Sequence, residues 1–271
     1  MRSLRIAVAV VRAPVGEVDA NLERSQEWVR RARREGAELV CFPELNITGY
    51  CNRPEMAAIA QAVPGPATEA LTAAAEETGT VVLAGMAEKN PQGGLPFASH
   101  VVIGPDGVRG VYRKLHLGPP ERSTYEAGNE VPVFSEAGAA FGIQLCYDAH
   151  FPELSSRMAS KGAEILFMPH ASPRGEAEEK HQSWMRHLPA RAFDNAVFVV
   201  ACNLVGENCK GLSFPGNAAV INPSGEVIAH TVEGREALMV VDLKAAELER
   251  VRGHEMRYFF PNRRPELYRR T

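Results

Sequence analysis

Residues 141–154 read FGIQLCYDAHFPEL: an apolar run of strand length stops at Cys146 and turns polar, and Pro152 opens a helical pattern. In α/β folds such ends build sites, because side chains beyond a strand's C-terminal end leave the sheet. A cysteine there can be a core thiol, half of a disulfide, a metal ligand or a nucleophile. The chain has five cysteines, at 41, 51, 146, 202 and 209, without a CxxC pair. A disulfide framework or a structural zinc site calls for closer, paired spacing. Most of these thiols therefore read as structural: Cys41 and Cys202 follow apolar runs, and Cys51 and Cys209 stand in loop-like surroundings.

Outward from Cys146, strand-like and helical patterns alternate along nearly the whole chain. LRIAVAVV (4–11) leads to a helix over 17–37, where Val18, Leu22, Val29 and Ala32 recur at helical spacing, and then to ELVCFPE (38–44). A helix near 67–78 precedes TVVLAGMAEK (80–89), and 99–114 reads as a hairpin around Pro105-Asp106-Gly107. Two short strands lie within 132–146. A helix over 152–164 leads into ILFMPH, and one over 176–195 leads into AVFVVACN. Hairpin turns are expected at 223–226 and at Glu233-Gly234, and a last helix at 243–252 precedes an irregular tail. Mixed strand order with interleaved helices implies an α/β or α+β domain, two sheets with helices outside, spanning 1–271 without a composition break.

Composition excludes several classes of function. Thirty Lys and Arg stand against 33 Asp and Glu, which leaves no global field to attract nucleic acid or an anionic membrane. The N-terminal apolar run reads as a first strand rather than a signal peptide, and no stretch approaches 18 apolar residues. A cytoplasmic chain is the expectation.

Three strand ends carry polar residues after apolar runs. Glu44 follows Pro43, where the ladder is expected to stop; Lys114 ends the second strand of the hairpin; the third is Cys146. If they meet, they form a complete chemical unit. The ammonium favours thiolate, the carboxylate serves as general base on the thiol and then on water, and the lysine donates to a developing oxyanion. Such a unit hydrolyses a carbonyl compound through a covalent acyl-enzyme. Singly, Glu44 and Lys114 would read as solvated surface ions.

The wording around these residues resembles the nitrilase superfamily of carbon–nitrogen hydrolases. FPELNITGY (42–50), YRKLHL (112–117) and CYDAHFPEL (146–154) each look like a signature stretch of that family, in order. GAEILFMPHASP, LPARAFDNAVFVVACN, FPGNAAVINPSGEVI and MRYFFPNRRPELY extend the likeness over nearly the entire chain. The resemblance implies a four-layer α-β-β-α sandwich, no metal and no organic cofactor. It implies Cys146 as nucleophile, Glu44 as general base, Lys114 as oxyanion stabiliser and the Tyr147 backbone N–H as a second oxyanion donor. Glu121, in ERSTYEAG (121–128), matches a second glutamate that orients the lysine or the substrate nitrogen, with Glu126 and Glu130 nearby as rivals. Tyr50, His150 and His170 are expected on the substrate side. The implied substrate is a small linear amide or N-carbamoyl amine, cleaved through a thioester or thiocarbamate, with nitrile hydrolysis the lesser alternative. A homodimer or an assembly of dimers is implied, with 252–271 packing at a subunit boundary. There Tyr258, Phe259 and Phe260 sit among Arg252, Arg257, Arg263, Arg264, Arg269 and Arg270, and favour a protein contact over nucleic acid.

Other readings compete. Cys146 and His150 are four apart, so a Cys–His hydrolase is conceivable, although a histidine that is solvated or only supports its neighbours fits the preceding strand better. His116 would share Lys114's side of an extended strand and reads as packing. Asp148, His150, His170 and His181 lack metal-ligand pairing. Ala98 stands where relatives commonly have Asn, which predicts a local hydrogen-bond change. Trp184, Met185 and Leu188 recur at helical spacing and read as core or interface. A non-catalytic scaffold of the same fold is the reading that intact Glu44, Lys114 and Cys146 oppose.

Overall fold

The computed structural model describes residues 1–208 and 210–267; Cys209, Arg269 and Arg270 lie outside them. The first half of the chain runs β1 (Leu4–Val10), α1 (Val18–Arg34), β2 (Leu39–Cys41), α2 (Met56–Ile59), α3 (Pro66–Thr78), β3 (Val81–Glu88), β4 (Phe97–Gly104) and β5 (Gly107–Arg113). β6 (Phe134–Glu136), β7 (Ala139–Ile143), α4 (Pro152–Ser160), β8 (Ile165–His170), α5 (Ala177–Met185), α6 (Leu188–Asn195) and β9 (Phe198–Asn203) follow. The last part holds β10 (Val205–Glu207), β11 (Ser213–Pro215), β12 (Ala218–Ile221), β13 (Val227–Thr231), β14 (Ala237–Leu243) and α7 (Ala245–Arg252).

Two six-stranded mixed sheets form, ordered β14-β1-β2-β3-β4-β5 and β13-β12-β9-β8-β7-β6. Each has a parallel centre, β1-β2-β3 in one and β7-β8-β9 in the other, flanked by antiparallel strands. The period-2 alternation of a strand decides which layer receives each residue. In β1, Leu4, Ile6, Val8 and Val10 enter the core between the sheets with Phe141, Phe167 and Val199. Ala7 and Ala9 face outward against Val29 and Ala32 of α1 and Leu71 and Ala75 of α3. Leu154 and Met158 of α4, Trp184 of α5 and Leu188 and Ala192 of α6 pack on the second sheet. The result is the expected α-β-β-α sandwich. Cys41 and Cys202 are both buried in the inter-sheet core, as their apolar contexts predict.

Three local expectations fail for physical reasons. The helix expected over 176–195 is two, because Pro189 lacks an N–H and its ring clashes with a preceding turn; α5 ends at Met185 and α6 restarts with Pro189 in its first turn. The turn at Glu233-Gly234 closes no hairpin. β13 pairs with β12 in one sheet and β14 with β1 in the other, so the chain changes sheets there. Finally, β5 ends at Arg113, so His116 lies beyond the strand and does not share a strand face with Lys114. Its ring instead stacks on Phe151 at 3.8 Å and meets Asp148 Oδ1 through Nδ1 at 2.8 Å.

Candidate active site

The C-terminal ends of β2, β7 and β8 point to one region between the sheets, and the end of β5 joins them. Glu44 stands in the turn after β2. Leu45 takes a left-handed conformation there (φ 56°), and the turn is pinned to β3 by Gly85 N–H donating to Asn46 Oδ1 (2.8 Å) and Ala87 N–H to Thr48 Oγ1 (3.0 Å). Gly85 allows this approach: a Cβ on it would fall against the Leu45 nitrogen, well inside contact distance. From α1, Ser25 Oγ accepts from Asn46 Nδ2 at 3.1 Å, so the helix layer also fixes the turn.

Glu44, Lys114 and Glu121 are withdrawn from solvent, at 0%, 1% and 4% exposure. Lys114 Nζ donates to Glu44 Oε1 at 2.8 Å and to Glu121 Oε1 at 2.7 Å. Each carboxylate is held at its other oxygen by a backbone amide, Glu44 Oε2 by Ala171 N–H (3.0 Å) and Glu121 Oε2 by Gly118 N–H (2.6 Å). Tyr50 OH donates to Glu121 Oε1 at 3.0 Å. Of the three rival glutamates, Glu121 is the one that reaches Lys114; Glu126 is exposed and Glu130 lies on the surface.

Cys146 opens a short 3₁₀ turn, Cys146–His150, with φ at 44°. A non-glycine residue in this left-handed region stores strain that its surroundings must hold. Asp148 supplies the hold. Its Oδ2 accepts from Tyr112 OH (2.7 Å) and Leu145 N–H (3.0 Å), and its Oδ1 from His116 N–H (2.9 Å). Read from sequence only as an unconvincing metal ligand, Asp148 is the anchor of this turn. The Tyr147 N–H finds no acceptor among the described residues, as expected of an amide heading a helical turn.

Electrostatics assign protonation states. Burial pushes the Glu44 carboxyl up, the Lys114 ammonium opposes this and the Glu121 charge adds to it, leaving Glu44 at about 7. Burial pulls Lys114 down, but the two carboxylates outweigh it and hold the ammonium well above its ordinary value. Burial and the Glu44 charge push the Cys146 thiol up to about 12, against the lowering effects of Lys114 and the Ala171 amide. Lys114 does favour the thiolate, as expected, but one ammonium is outvoted by desolvation and two carboxylates. The cysteine rests as a thiol beside a carboxyl poised near neutrality.

His170 is buried, donates through Nδ1 to Met168 O (2.7 Å) and packs on Trp184; burial holds it neutral, at about 3. His150 is exposed, its ring 4.6 Å from that of His187, and no hydrogen bond joins it to Cys146 among the described residues. The Cys–His arrangement is therefore absent from this geometry. Ala98 is buried and its carbonyl accepts from Lys114 N–H at 2.9 Å, so this position contributes main chain to the site. No group of three His, Cys, Asp or Glu side chains among the described residues could hold a metal ion.

The carbon–nitrogen hydrolase family model matches residues 7–253. A protein of Pyrococcus abyssi named nitrilase is 33% identical, covering 98% of this chain and 99% of its own. An N-carbamoylputrescine amidase of Solanum lycopersicum is 28% identical over 93% of this chain and 90% of its own. Among solved structures, a mutant of the amidase from Nesterenkonia sp. AN1 shows covalent addition of the acetamide moiety of fluoroacetamide at its active-site cysteine. It is 26% identical, with a TM-score of 0.83, covering 98% of this chain and 95% of that one.

Proposed function

Because the chain belongs to the carbon–nitrogen hydrolase family of the nitrilase superfamily, we propose that it hydrolyses small linear amides or N-carbamoyl amines with Cys146 as nucleophile. The observation that carries this reading is the Lys114 ammonium bridging Glu44 and Glu121 beside a strained, turn-borne cysteine. Glu44, ionised above about 7, takes the thiol proton as sulfur bonds to the carbonyl carbon. Negative charge moves to the carbonyl oxygen, where Lys114 and the Tyr147 N–H donate. The proton on Glu44 passes to the departing nitrogen, the C–N bond breaks, and a thioester (or, from a carbamoyl substrate, a thiocarbamate) remains. Glu44 then draws a proton from water, whose oxygen attacks the acyl carbon and releases the acid and the thiol. Glu121, fixed by Tyr50 and Gly118, keeps Lys114 aimed while Glu44 changes charge.

Nitrile hydrolysis is the second reading, favoured by the name of the Pyrococcus relative. The same thiol would add to a nitrile carbon. The segment after Arg252, with Met256 and Phe259 exposed, fits a subunit contact in a homodimer. Ammonia release from a panel of short amides, N-carbamoyl amines and nitriles tests the function, with Cys146→Ala in parallel. Release from amides or carbamoyl compounds that vanishes in the variant supports it; turnover of nitriles alone moves the assignment to the second reading, and retention of amide turnover in Cys146→Ala refutes the proposal.

A further inference from the structure

At the end of β9 a buried amide continues the ladder that β8 leaves unfinished. β8 and β9 run parallel, and their register ends with His170 opposite Asn203. Beyond that point the Asn203 carboxamide takes the place of a peptide group. Its Oδ1 accepts from Ser172 N–H at 2.9 Å, and its Nδ2 donates to the Ser172 carbonyl at 3.1 Å. Asn217, which precedes β12, steadies this side chain: its carbonyl accepts from Asn203 N–H at 2.9 Å and its Oδ1 from Asn203 Nδ2 at 3.3 Å. Both asparagines are at 0% exposure, so solvent does not compete for these bonds.

This clamp lies one residue from the active site. Ala171 N–H donates to Glu44 Oε2 at 3.0 Å, and through it the second sheet reaches a carboxylate carried by the first. Residues 171–173 belong to no helix or strand, so the aim of that N–H depends on what grips the segment. Lys180 Nζ holds Ser172 through its hydroxyl, at 2.9 Å, which leaves the Ser172 backbone to Asn203. A backbone N–H given to a carboxylate favours the ionised form. The Ala171 amide does so for Glu44, and it lowers the Cys146 thiol as well.

We propose that Asn203 is a positioning residue of the active site: it holds Ser172 by both backbone groups so that the neighbouring Ala171 N–H stays on Glu44. This rests on the reading of Glu44 as the base and adds a residue that acts on it from the other sheet. When the clamp is lost, the Ala171 N–H drifts from Glu44 and the carboxyl binds its proton more tightly. A protonated base is idle, so the acid limb of the activity profile moves to higher pH. The other titratable groups around Glu44 are Lys114, Glu121, Cys146, Tyr50, Tyr112 and Tyr125. Among the described residues none of them hydrogen-bonds to Asn203 or Ser172, so they act alike in wild type and variant.

The test measures kcat/KM against pH for wild type, Asn203→Ala and Asn203→Ser. Alanine frees both Ser172 groups, whereas serine can satisfy one of them and is the milder change should Asn203→Ala not fold. The midpoint of the acid limb should rise by roughly half to one pH unit in Asn203→Ala, and by less in Asn203→Ser. A residue that only supports the fold would lower activity by the same factor at every pH and leave the midpoint in place; that result overturns the proposal. A second measurement separates this inference from the hydrolase reading. NMR titration of the Glu44 carboxyl carbon, assigned with Glu44→Gln, needs no turnover. A midpoint higher in either Asn203 variant than in wild type upholds the clamp even if no amide is hydrolysed, and coincident midpoints in a folded variant overturn it.

Discussion

Lys114 Nζ lies 2.8 Å from Glu44 Oε1 in a pair that solvent does not reach, and the same nitrogen holds Glu121 at 2.7 Å. One cation therefore neutralises two buried carboxylates, and removing it leaves two anions facing one another. Breaking a buried pair in this way costs about 3–5 kcal/mol. Lys114→Met should lose that much stability at pH 8, and less at pH 6, where one carboxyl takes up a proton. Its amide turnover should fall by roughly a thousandfold. Thermal denaturation at the two pH values, with Glu44→Gln added as a second change, checks this. The double variant should regain stability and stay inactive.

Glu44 makes activity and stability depend on pH with opposite sign. As the proposed base it must be ionised, so kcat/KM should fall as pH drops below about 7. A carboxyl raised on folding binds its proton more tightly in the native state. Its stabilising contribution is present below the ordinary glutamate value and lost as pH rises through about 7. Between pH 4.5 and 7.5 wild type should lose about 3 kcal/mol relative to Glu44→Gln. Denaturant titrations of both proteins across that range measure the difference; parallel curves would contradict the raised value.

Asp148 ties the turn that carries Cys146 to Tyr112, Leu145 and His116. Asp148→Ala orphans buried donors, each worth about 1–3 kcal/mol. The variant should be less stable by at least the lower figure, and Cys146 should react with iodoacetamide at an altered rate because the turn is no longer fixed. Tyr112→Phe removes one donor and should show a smaller loss of the same kind.

The backbone at Cys146 is costly for any side chain, since φ is 44°. Glycine accepts this conformation without a Cβ clash. Cys146→Gly should therefore be more stable than Cys146→Ala by about 1 kcal/mol, although neither turns over amide. Equal melting temperatures would mean that the turn relaxes when the thiol is removed.

Much of this architecture was legible from residue order. The alternation of apolar runs and helical patterns, with Glu44, Lys114 and Cys146 each just beyond a strand, follows from local rules and from the resemblance of three motifs. What escaped depends on sums over space. The protonation state of Cys146 is set by burial and by two carboxylates brought from residues 44 and 121, which no local window contains. The turn at Glu233-Gly234 has the same chemistry whether it closes a hairpin or carries the chain between sheets, and only strand partners decide. Pro189, by contrast, was visible and should have divided the 176–195 helix on its own.

The first sheet closes with β14 laid along β1, Leu4 opposite Leu243 and Val10 opposite Ala237. During synthesis β1 leaves the ribosome more than 200 residues before its outer partner exists. Until then one flank of β1 offers unpaired N–H and C=O groups on an apolar strand, an invitation to self-association. Nascent chains stalled short of position 237 should thus depend on chaperones for solubility, and those released past Leu243 should not.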